Sequence, residues 1–457
     1  MLLSAVNKFF LMILNKNIFF KIIVISLVII SFFLGYFLRE NSVGGGPEFY
    51  ELSWPIIQSF KKDFLFTIKN YGSFRDYTIP FSHILNAYIN PFSNDVENFQ
   101  LSVTVISFII FLVFAQVCKK IFRQINIIDI LLISSTILLL PFYRTSAFWG
   151  KNENYGWLFF ILALYFFYEI KNDMSKSSSN RYTINVILFC FFSSCALYAR
   201  QALAFLPISY FLYLFYNNAD KKIIITSIIS FTIFAIPALL LILTWGNVFD
   251  LENNPNFFTW WIHPKHLLKN FPILLSFFGF YFLPILVIEF FNLEFKNFIN
   301  KYLKSFLFAL IIFVFLSQVN LLSYLGDYTR AGGAILKVNY LIQKNNYLLL
   351  LLFSSVGFSV LMRLFKEDVK NNATFLLPVL IIYCFPNLLY QEYVEPLILI
   401  IFFLVLKTNL QKIYFRNISF SNLIFISYFT VYLIGSIYFK HFAFDSYEKW
   451  KIFLNVQ

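Results

Sequence analysis

Three acidic residues and one arginine stand where an apolar sequence has few other charges. Glu48 and Glu51 follow a glycine triplet just after the first long apolar segment, and Glu153 begins another such segment. A carboxylate beside an apolar wall can have a raised pKa, and it can then take a proton from a hydroxyl or hold a cation. Arg200 is the only charged residue in 184–216, and its planar guanidinium suits a pair of phosphate oxygens. Two competing interpretations stay open on the sequence alone. The acids could be solvated loop residues, and the arginine could reach the surface or pair with an acid.

Asp76 adds a further acid, and Glu153 has possible partners nearby. Pro80 is typical of a helix start, so Asp76 could approach or cap the beginning of that helix, alone or alongside a functional role. Glu153 could pair with Arg144 or Lys151, and acids at the mouth of a span that faces a cavity are often functional. Both residues therefore join the two N-terminal glutamates as candidate catalytic acids.

Cationic and aromatic residues form a second set of candidates. Arg330 and Lys337 lie on either side of Gly332-Gly333, whose backbone allows close approach, and either cation could bind a lipid phosphate. The spacing is not that of a P-loop. Trp149 could serve as an interfacial anchor or as a face on which a sugar ring stacks.

Membrane-spanning helices must position these residues. The chain has 457 residues, of which 59% are hydrophobic and only 13% are charged. A soluble domain carries about a quarter charged residues, so a soluble enzyme, a disordered protein and a secreted disulfide scaffold are not expected. Recurring apolar segments of roughly 17–25 residues predict an all-α polytopic membrane protein with about thirteen transmembrane helices in a single domain, 1–457. The predicted spans are 18–38, 101–117, 126–142, 155–170, 184–198, 201–216, 223–244, 271–289, 305–323, 346–363, 374–390, 396–407 and 422–439.

The largest predicted loop, 39–100, directly follows the first span and holds three of the candidate acids. Its semi-apolar stretches 53–60 and 81–92 predict amphipathic helices on the membrane surface. No soluble domain is expected at either end, so the site must be built from spans and loops.

The basic residues predict the orientation of the chain. Each predicted connection on the N-terminal side carries two or three Lys or Arg residues, which places that side in the cytoplasm. The net charge of +13 therefore predicts anchoring to membrane lipids at the inner face and no nucleic-acid partner. We expect a bacterial inner-membrane protein with a cytoplasmic N-terminus and an extracytoplasmic site.

The four cysteines and four histidines do not show metal-ligand spacing. No metal site and no certain cofactor is predicted, although the candidate acids could hold a divalent cation.

The layout resembles the GT-C glycosyltransferases, membrane enzymes that take a sugar from a polyprenyl-phosphate donor on the non-cytoplasmic side. In both, one span is followed by a long outer loop that opens with an acid and ends in a proline-containing surface helix, and a second acid stands at the next outer loop. Short stretches also resemble the α-1,2-glucosyltransferases that use dolichyl-phosphate glucose. These are Pro47-Glu48-Phe49-Tyr50, Asp76-Tyr77-Thr78-Ile79-Pro80, Glu153, Arg200-Gln201, Asp327-Tyr328-Thr329-Arg330, and Leu388-Leu389-Tyr390-Gln391-Glu392-Tyr393 with Pro396.

The resemblance implies a GT-C-like fold and an inverting hexosyltransferase. Its donor would be a polyprenyl-phosphate hexose and its acceptor a lipid-linked or surface glycan. Glu48 would take the proton of the acceptor hydroxyl, and Glu51 and Asp76 are the next candidates for this role. Glu153 would orient a substrate. The remaining roles are donor-phosphate binding by Arg200 with Arg330 or Lys337, and substrate binding by Gln201, Asp327, Tyr393 and Trp149.

Two other functions stay open on the sequence. An O-antigen-type polysaccharide polymerase also has many spans and an outer basic site, but it depends less on an acid in the first loop. A non-enzymatic lipid or glycan transporter often shows paired repeats with broken helices in matching positions, and the sequence shows no such pairing.

Overall fold

A computed structural model describes most of the chain. The described residues are 18–43, 45–74, 78–151, 153–173, 180–245, 264–293, 295–318, 333–343, 348–386 and 389–442. Every regular element within these ranges is helical.

The helices of the N-terminal third include several short ones between two long ones. In chain order they are α1 (Ile18–Phe37), α2 (Gly45–Glu48), α3 (Trp54–Lys62), α4 (Phe64–Lys69), α5 (Phe81–Tyr88), α6 (Val96–Ile121), α7 (Ile127–Ser135) and α8 (Pro141–Phe148). A π-helical turn, Phe49–Ser53, joins α2 to α3, and 3₁₀ turns cover Tyr71–Phe74 and Thr136–Leu139.

The remaining helices are mostly long. They are α9 (Glu153–Asp173), α10 (Asn180–Ala199), α11 (Phe205–Tyr216), α12 (Lys221–Phe234), α13 (Ile236–Trp245), α14 (Pro264–Asn292), α15 (Phe295–Gln318), α16 (Gly333–Gln343), α17 (Leu348–Glu367), α18 (Val369–Cys384), α19 (Glu395–Leu404), α20 (Asn409–Arg416) and α21 (Ile418–His441). The 3₁₀ turns Gln201–Ala204 and Gln391–Tyr393 precede α11 and α19.

Aspartates define several helix starts. The side chain of Asp63 accepts a hydrogen bond from the backbone N–H of Phe66, and that of Asp95 accepts one from Asn98, both at 2.9 Å. Each bond satisfies a donor that the first helical turn leaves without an intrahelical partner. The start of α6 is therefore encoded locally, independently of what the helix packs against.

The described residues contain eight helices that are long and apolar enough to cross a membrane. Two bent pairs raise the number to ten if each pair is one span: 127–139 with 141–148, bent by 73°, and 391–404 with 409–416, bent by 84°. The first bend falls at Leu140, which is extended because a proline follows it. The all-helical, membrane-compatible class is confirmed, whereas the predicted count of thirteen spans is not.

Helix α14 is the most buried of the candidate spans, and α17 packs directly on it. Gly279 and Gly357 make this contact possible, since a Cβ on either would lie within 2.2 Å of a carbonyl oxygen of the other helix. The segments Lys221–Trp245 and Phe295–Leu316 are only 17% buried, so their apolar side chains are available to lipid.

The 39–100 segment is folded onto the bundle. Its α3 buries Ile56, Ile57 and Phe60 completely in a small core of its own. Trp245, at the end of α13, stacks on Tyr71 with 5.8 Å between ring centroids and 13° between planes. This segment is therefore a packed layer that supports the residues at its start.

Candidate functional site

Three distant parts of the chain meet at the ammonium group of Lys151. Its Nζ lies 2.6 Å from Oε2 of Glu48 and 3.7 Å from Oε2 of Glu392. The Lys151 side chain is 8% exposed, whereas those of Glu48 and Glu392 are 49% and 22% exposed. Lys151 therefore lies at the buried end of the site, and the carboxylate of Glu48 remains open to a substrate.

The end of α8 presents Lys151 to the two glutamates. Gly150 has a φ of +61°, and the backbone N–H of Lys151 donates to the carbonyl of Ser146 at 3.1 Å. This is the glycine-terminated helix end that side chains with a Cβ rarely adopt. A Cβ at position 150 would also lie 2.6 Å from the ring of Phe99, so the turn requires glycine for two reasons.

The surrounding carboxylates keep Lys151 charged. Burial by itself would lower the pKa of its ammonium group, but Glu392, Glu153 and Glu48 more than offset this effect and raise the pKa. A positive charge is therefore present at this position throughout the physiological pH range.

Glu153 begins α9 beside this lysine. Ser146 Oγ donates to its Oε2 at 3.3 Å, and the side-chain amide of Asn154 donates to the carbonyl of Ser146 at 2.9 Å. Arg144 is not the partner of Glu153, because its guanidinium pairs with Glu40 at 2.5 Å and is almost fully buried. Of the two predicted partners, Lys151 is the one that interacts with Glu153.

Arg200 is buried between two aromatic rings. Its guanidinium carbon lies 4.6 Å from the ring centroid of Trp157 and 5.2 Å from that of Tyr393, in cation–π geometry. Its Nη2 donates to the backbone carbonyl of Glu392 at 3.1 Å. Its Nη1 is buried and has no hydrogen-bond partner among the described residues. The two rings hold the guanidinium in place, and its Nη1 is a buried donor that no described residue satisfies.

Gly156 allows Arg200 to lie against α9. A Cβ at this position would be 3.1 Å from Cβ of Arg200, closer than side chains normally approach. Since Glu153 and Trp157 lie on the same helix, α9 places an acid and an aromatic face around the arginine.

Trp149 supports the chain that carries Glu48. Its indole N–H donates to the carbonyl of Glu40 at 3.0 Å, and a Cβ on Gly46 would lie 3.3 Å from its ring. The side-chain oxygen of Asn41 accepts from the N–H of Gly45 at 2.7 Å, which caps α2. Trp149 therefore contacts both the 39–100 segment and the main core of the bundle.

Other predicted site residues lie apart or outside the described residues. Glu51 is exposed in the π-helical turn, and Gln201 is half-buried directly after Arg200. Lys337 is half-buried with its Nζ 5.2 Å from the ring of Phe439, and burial together with Lys440 lowers its pKa to about 8. Its described contacts do not join it to Arg200. Asp76, Asp327 and Arg330 lie outside the described residues.

The structure thus brings together Glu48, Glu153, Arg200 and Tyr393 of the predicted set. The sequence alone predicted no role for Trp157 or for Glu392, although Glu392 lies in one of the resembling stretches, and it indicated Lys151 only as a partner of Glu153. A usable signal existed for Glu392, which is an acid four residues before Pro396 and the apolar segment that this proline begins.

No group of three or more His, Cys, Asp or Glu side chains in the described ranges is arranged to hold a metal ion. Three carboxylates instead surround the ammonium group of Lys151. Comparison of the chain with protein-family models, with curated proteins and with solved structures found no match in any of the three.

Proposed function

We propose that this protein is a GT-C-type membrane glycosyltransferase. It moves a hexose from a polyprenyl-phosphate donor to a lipid-linked or surface glycan on the extracytoplasmic side of a bacterial inner membrane, and its N-terminus is cytoplasmic. The observation that carries the proposal is the buried guanidinium of Arg200, whose Nη1 has no hydrogen-bond partner among the described residues, beside a cluster of carboxylates.

A phosphate oxygen supplies what Arg200 lacks. A buried donor without an acceptor costs about 1–3 kcal/mol, so a partner is expected when the site is occupied. Charge grows on the phosphate as the bond between it and the sugar breaks, and a preorganised guanidinium stabilises that charge. The aromatic rings of Trp157 and Tyr393 favour this role because they fix the orientation of the guanidinium before the donor binds.

Glu48 is the proposed general base. The acceptor hydroxyl attacks the anomeric carbon on the face opposite the phosphate, its proton passes to Glu48, and the polyprenyl phosphate leaves with the bonding electrons. The configuration at the anomeric carbon is inverted. Lys151 holds the Glu48 carboxylate in place at 2.6 Å, and Glu153 and Glu392 are available to bind sugar hydroxyls.

The test uses purified protein in liposomes with a panel of radiolabelled polyprenyl-phosphate hexoses and lipid-linked glycan acceptors. We expect transfer of label to one acceptor, loss of transfer in Glu48→Gln and Arg200→Gln, and normal transfer in the matched controls Glu97→Gln and Arg39→Gln. Glu97 and Arg39 form an exposed ion pair away from the cluster.

Two results would contradict the proposal. Movement of intact donor lipid across the bilayer without bond cleavage would indicate a transporter. Joining of lipid-linked glycans that Glu48→Gln does not affect would indicate a polymerase.

A further inference from the structure

Glu395 is a fully buried carboxylate that links three helices beside the candidate site. Its Oε1 accepts from the backbone N–H of Phe142 at 2.9 Å, and its Oε2 accepts from the hydroxyls of Tyr281 and Tyr432, both at 2.8 Å. Among the described residues it has no ion-pair partner, so neutral donors alone satisfy it.

Gln391 completes this network from the other side. Its side-chain amide donates to the same two hydroxyls, at 2.6 Å to Tyr281 and 2.8 Å to Tyr432. Its Oε1 accepts from the backbone N–H of Ala334 at 2.7 Å, which attaches the start of α16. Gly333, with a φ of +59°, has room for this contact only because it lacks a Cβ.

The network joins the two bent segments, 127–148 and 391–416. The first leads directly to Lys151, and the second contains Glu392. Gln391 and Glu395 flank Glu392 in sequence, so the turn that carries Glu392 is fixed at both ends. Phe142 lies in the first turn of α8, and that helix ends at the turn that presents Lys151. The Glu395 carboxylate therefore connects the two backbone segments whose relative position sets the distance between Lys151 and Glu392.

We propose that Glu395 is a positioning residue, which holds α8 against the Gln391–Tyr393 turn and so keeps Glu392 in register with Lys151 and Glu48. This inference rests on the proposed transferase function for its kinetic consequences. Both oxygens of Glu395 must accept hydrogen bonds, and an amide offers only one acceptor oxygen. A carboxylate is therefore required as long as position 391 carries an amide donor.

The first test replaces Glu395 with glutamine. In Glu395→Gln the amide nitrogen and Gln391 both donate to the same two hydroxyls, which leaves the tyrosine protons without acceptors. We expect kcat to fall about 100-fold, the loss that a misplacement of roughly 1 Å can produce. The KM for the donor should rise as well, because Arg200 donates to the carbonyl of Glu392 and lies over the ring of Tyr393, both in the turn that this network holds.

The second test is a swap that restores every hydrogen bond of the network and reverses the direction of the four bonds to the tyrosine hydroxyls. In the double variant Gln391→Glu/Glu395→Gln, the new glutamate accepts from Ala334 and from both tyrosines, while the new glutamine accepts from Phe142 and donates to both tyrosines. We expect kcat to return to within about tenfold of the parent. A swapped protein that is stably folded yet as inactive as Glu395→Gln overturns the positioning role and indicates that a charge at 395 itself is needed.

Two tyrosines on α21 provide a matched control. Tyr432→Phe removes a hydroxyl that contacts both Glu395 and Gln391, whereas Tyr428→Phe removes one that donates to the carbonyl of Phe280 at 3.0 Å. We expect kcat to fall at least tenfold in the first variant and to stay within about twofold in the second. Equal kcat values in the two variants would contradict the proposal.

A readout independent of catalysis separates this inference from the proposed function. In Glu395→Ala, hydrogen–deuterium exchange should accelerate in peptides that cover the start of α8 and the Gln391–Tyr393 turn, and the double swap should show parent-like exchange. Unchanged exchange in Glu395→Ala overturns the positioning role even if the protein transfers sugar. Accelerated exchange in a protein without transferase activity overturns only the proposed function.

Discussion

Two charged clusters lie at the two ends of the segment that contains α19, and they differ in how well their charges are satisfied. At the N-terminal end, three glutamates surround Lys151, while no residue in the described part of the chain accepts a hydrogen bond from Nη1 of Arg200. Beyond the C-terminal end, the buried carboxylate of Glu289 pairs with Arg363 and Lys301 and also accepts from Tyr302.

The second cluster is balanced and closed by further bonds. Arg363 also pairs with Glu367 at 2.8 Å, and Glu367 in turn accepts from the hydroxyl of Thr408 and from the N–H of Asn409. Its two acids and two bases are all paired, as expected for charges that join helices in a low-dielectric interior. The cluster at Lys151 has more acids than bases and an unused donor, which is typical of a site that awaits a ligand.

The largest expected effect is on stability, at the balanced cluster. Arg363→Gln leaves Glu289 buried with only an exposed lysine and a tyrosine for partners, so the free energy of unfolding should fall by about 3–5 kcal/mol. Thermal unfolding in detergent measures this change. Sugar transfer per folded molecule should be unaffected. A loss of transfer without a loss of stability would contradict the assignment of a purely structural role to this cluster.

The next effect is on activity, at Arg200. Arg200→Lys keeps the charge but loses the planar fork that fits between Trp157 and Tyr393, so transfer should fall about 100-fold, as when a preorganised donor is removed. The unfolding temperature should remain close to that of the parent. A variant that transfers sugar normally, or that simply unfolds, would indicate that the arginine only fills a structural position.

A smaller, pH-dependent effect is expected at Lys151. The pKa of Lys151 is raised in the folded protein above the ordinary lysine value of about 10.4. The stability that its ammonium contributes is therefore fully present below about pH 10.4 and disappears only as the pH rises through the raised pKa. Between pH 6 and 10 the parent should therefore show no change that arises from this residue.

In Lys151→Met the carboxylates of Glu48, Glu153 and Glu392 lose their cation, and their mutual repulsion is no longer offset by its charge. The acid limb of kcat/KM should shift upward by about one pH unit, so the variant should lose up to about tenfold at pH values below the limb and little above it. Steady-state rates measured as a function of pH provide the test. An acid limb at the same pH in the variant and the parent would show that Lys151 does not influence the catalytic base.

The smallest effect should come from an ion pair that belongs to neither cluster. Arg39 and Glu97 approach to 3.4 Å with side chains 74% and 76% exposed. Replacing either should change the free energy of unfolding by at most about 1 kcal/mol, because water and salt screen such pairs. A larger change, measured by the same unfolding assay, would show that exposure is a poor guide to the role of charges in this protein.

Hydrophobic runs were enough to predict the class of fold. Each predicted apolar segment overlaps a helix, because a chain with so few charges has to satisfy its backbone within helices when it enters lipid. The count of thirteen spans is not confirmed where helices are short or bent, as at Leu140 and between Leu404 and Asn409, since composition does not report the angle at a break.

The candidate site was predicted in part for a similar reason. Glu48, Glu153 and Arg200 could be chosen from the sequence because each is a charge close to an apolar run, where an unpaired charge is costly. The pairing was not predictable: Arg144 lies close to Glu153 in sequence and yet pairs with Glu40.

The amino-acid sequence by itself determined the helical membrane class and the short set of charges that need a partner. Only the tertiary structure decided which charges meet, because the bend at Leu140, the left-handed turn at Gly150 and the Glu395 network set the relative positions of segments more than two hundred residues apart. Hydropathy and helix capping act within one or two helical turns and are readable along the chain, whereas ion pairing depends on distances across the bundle.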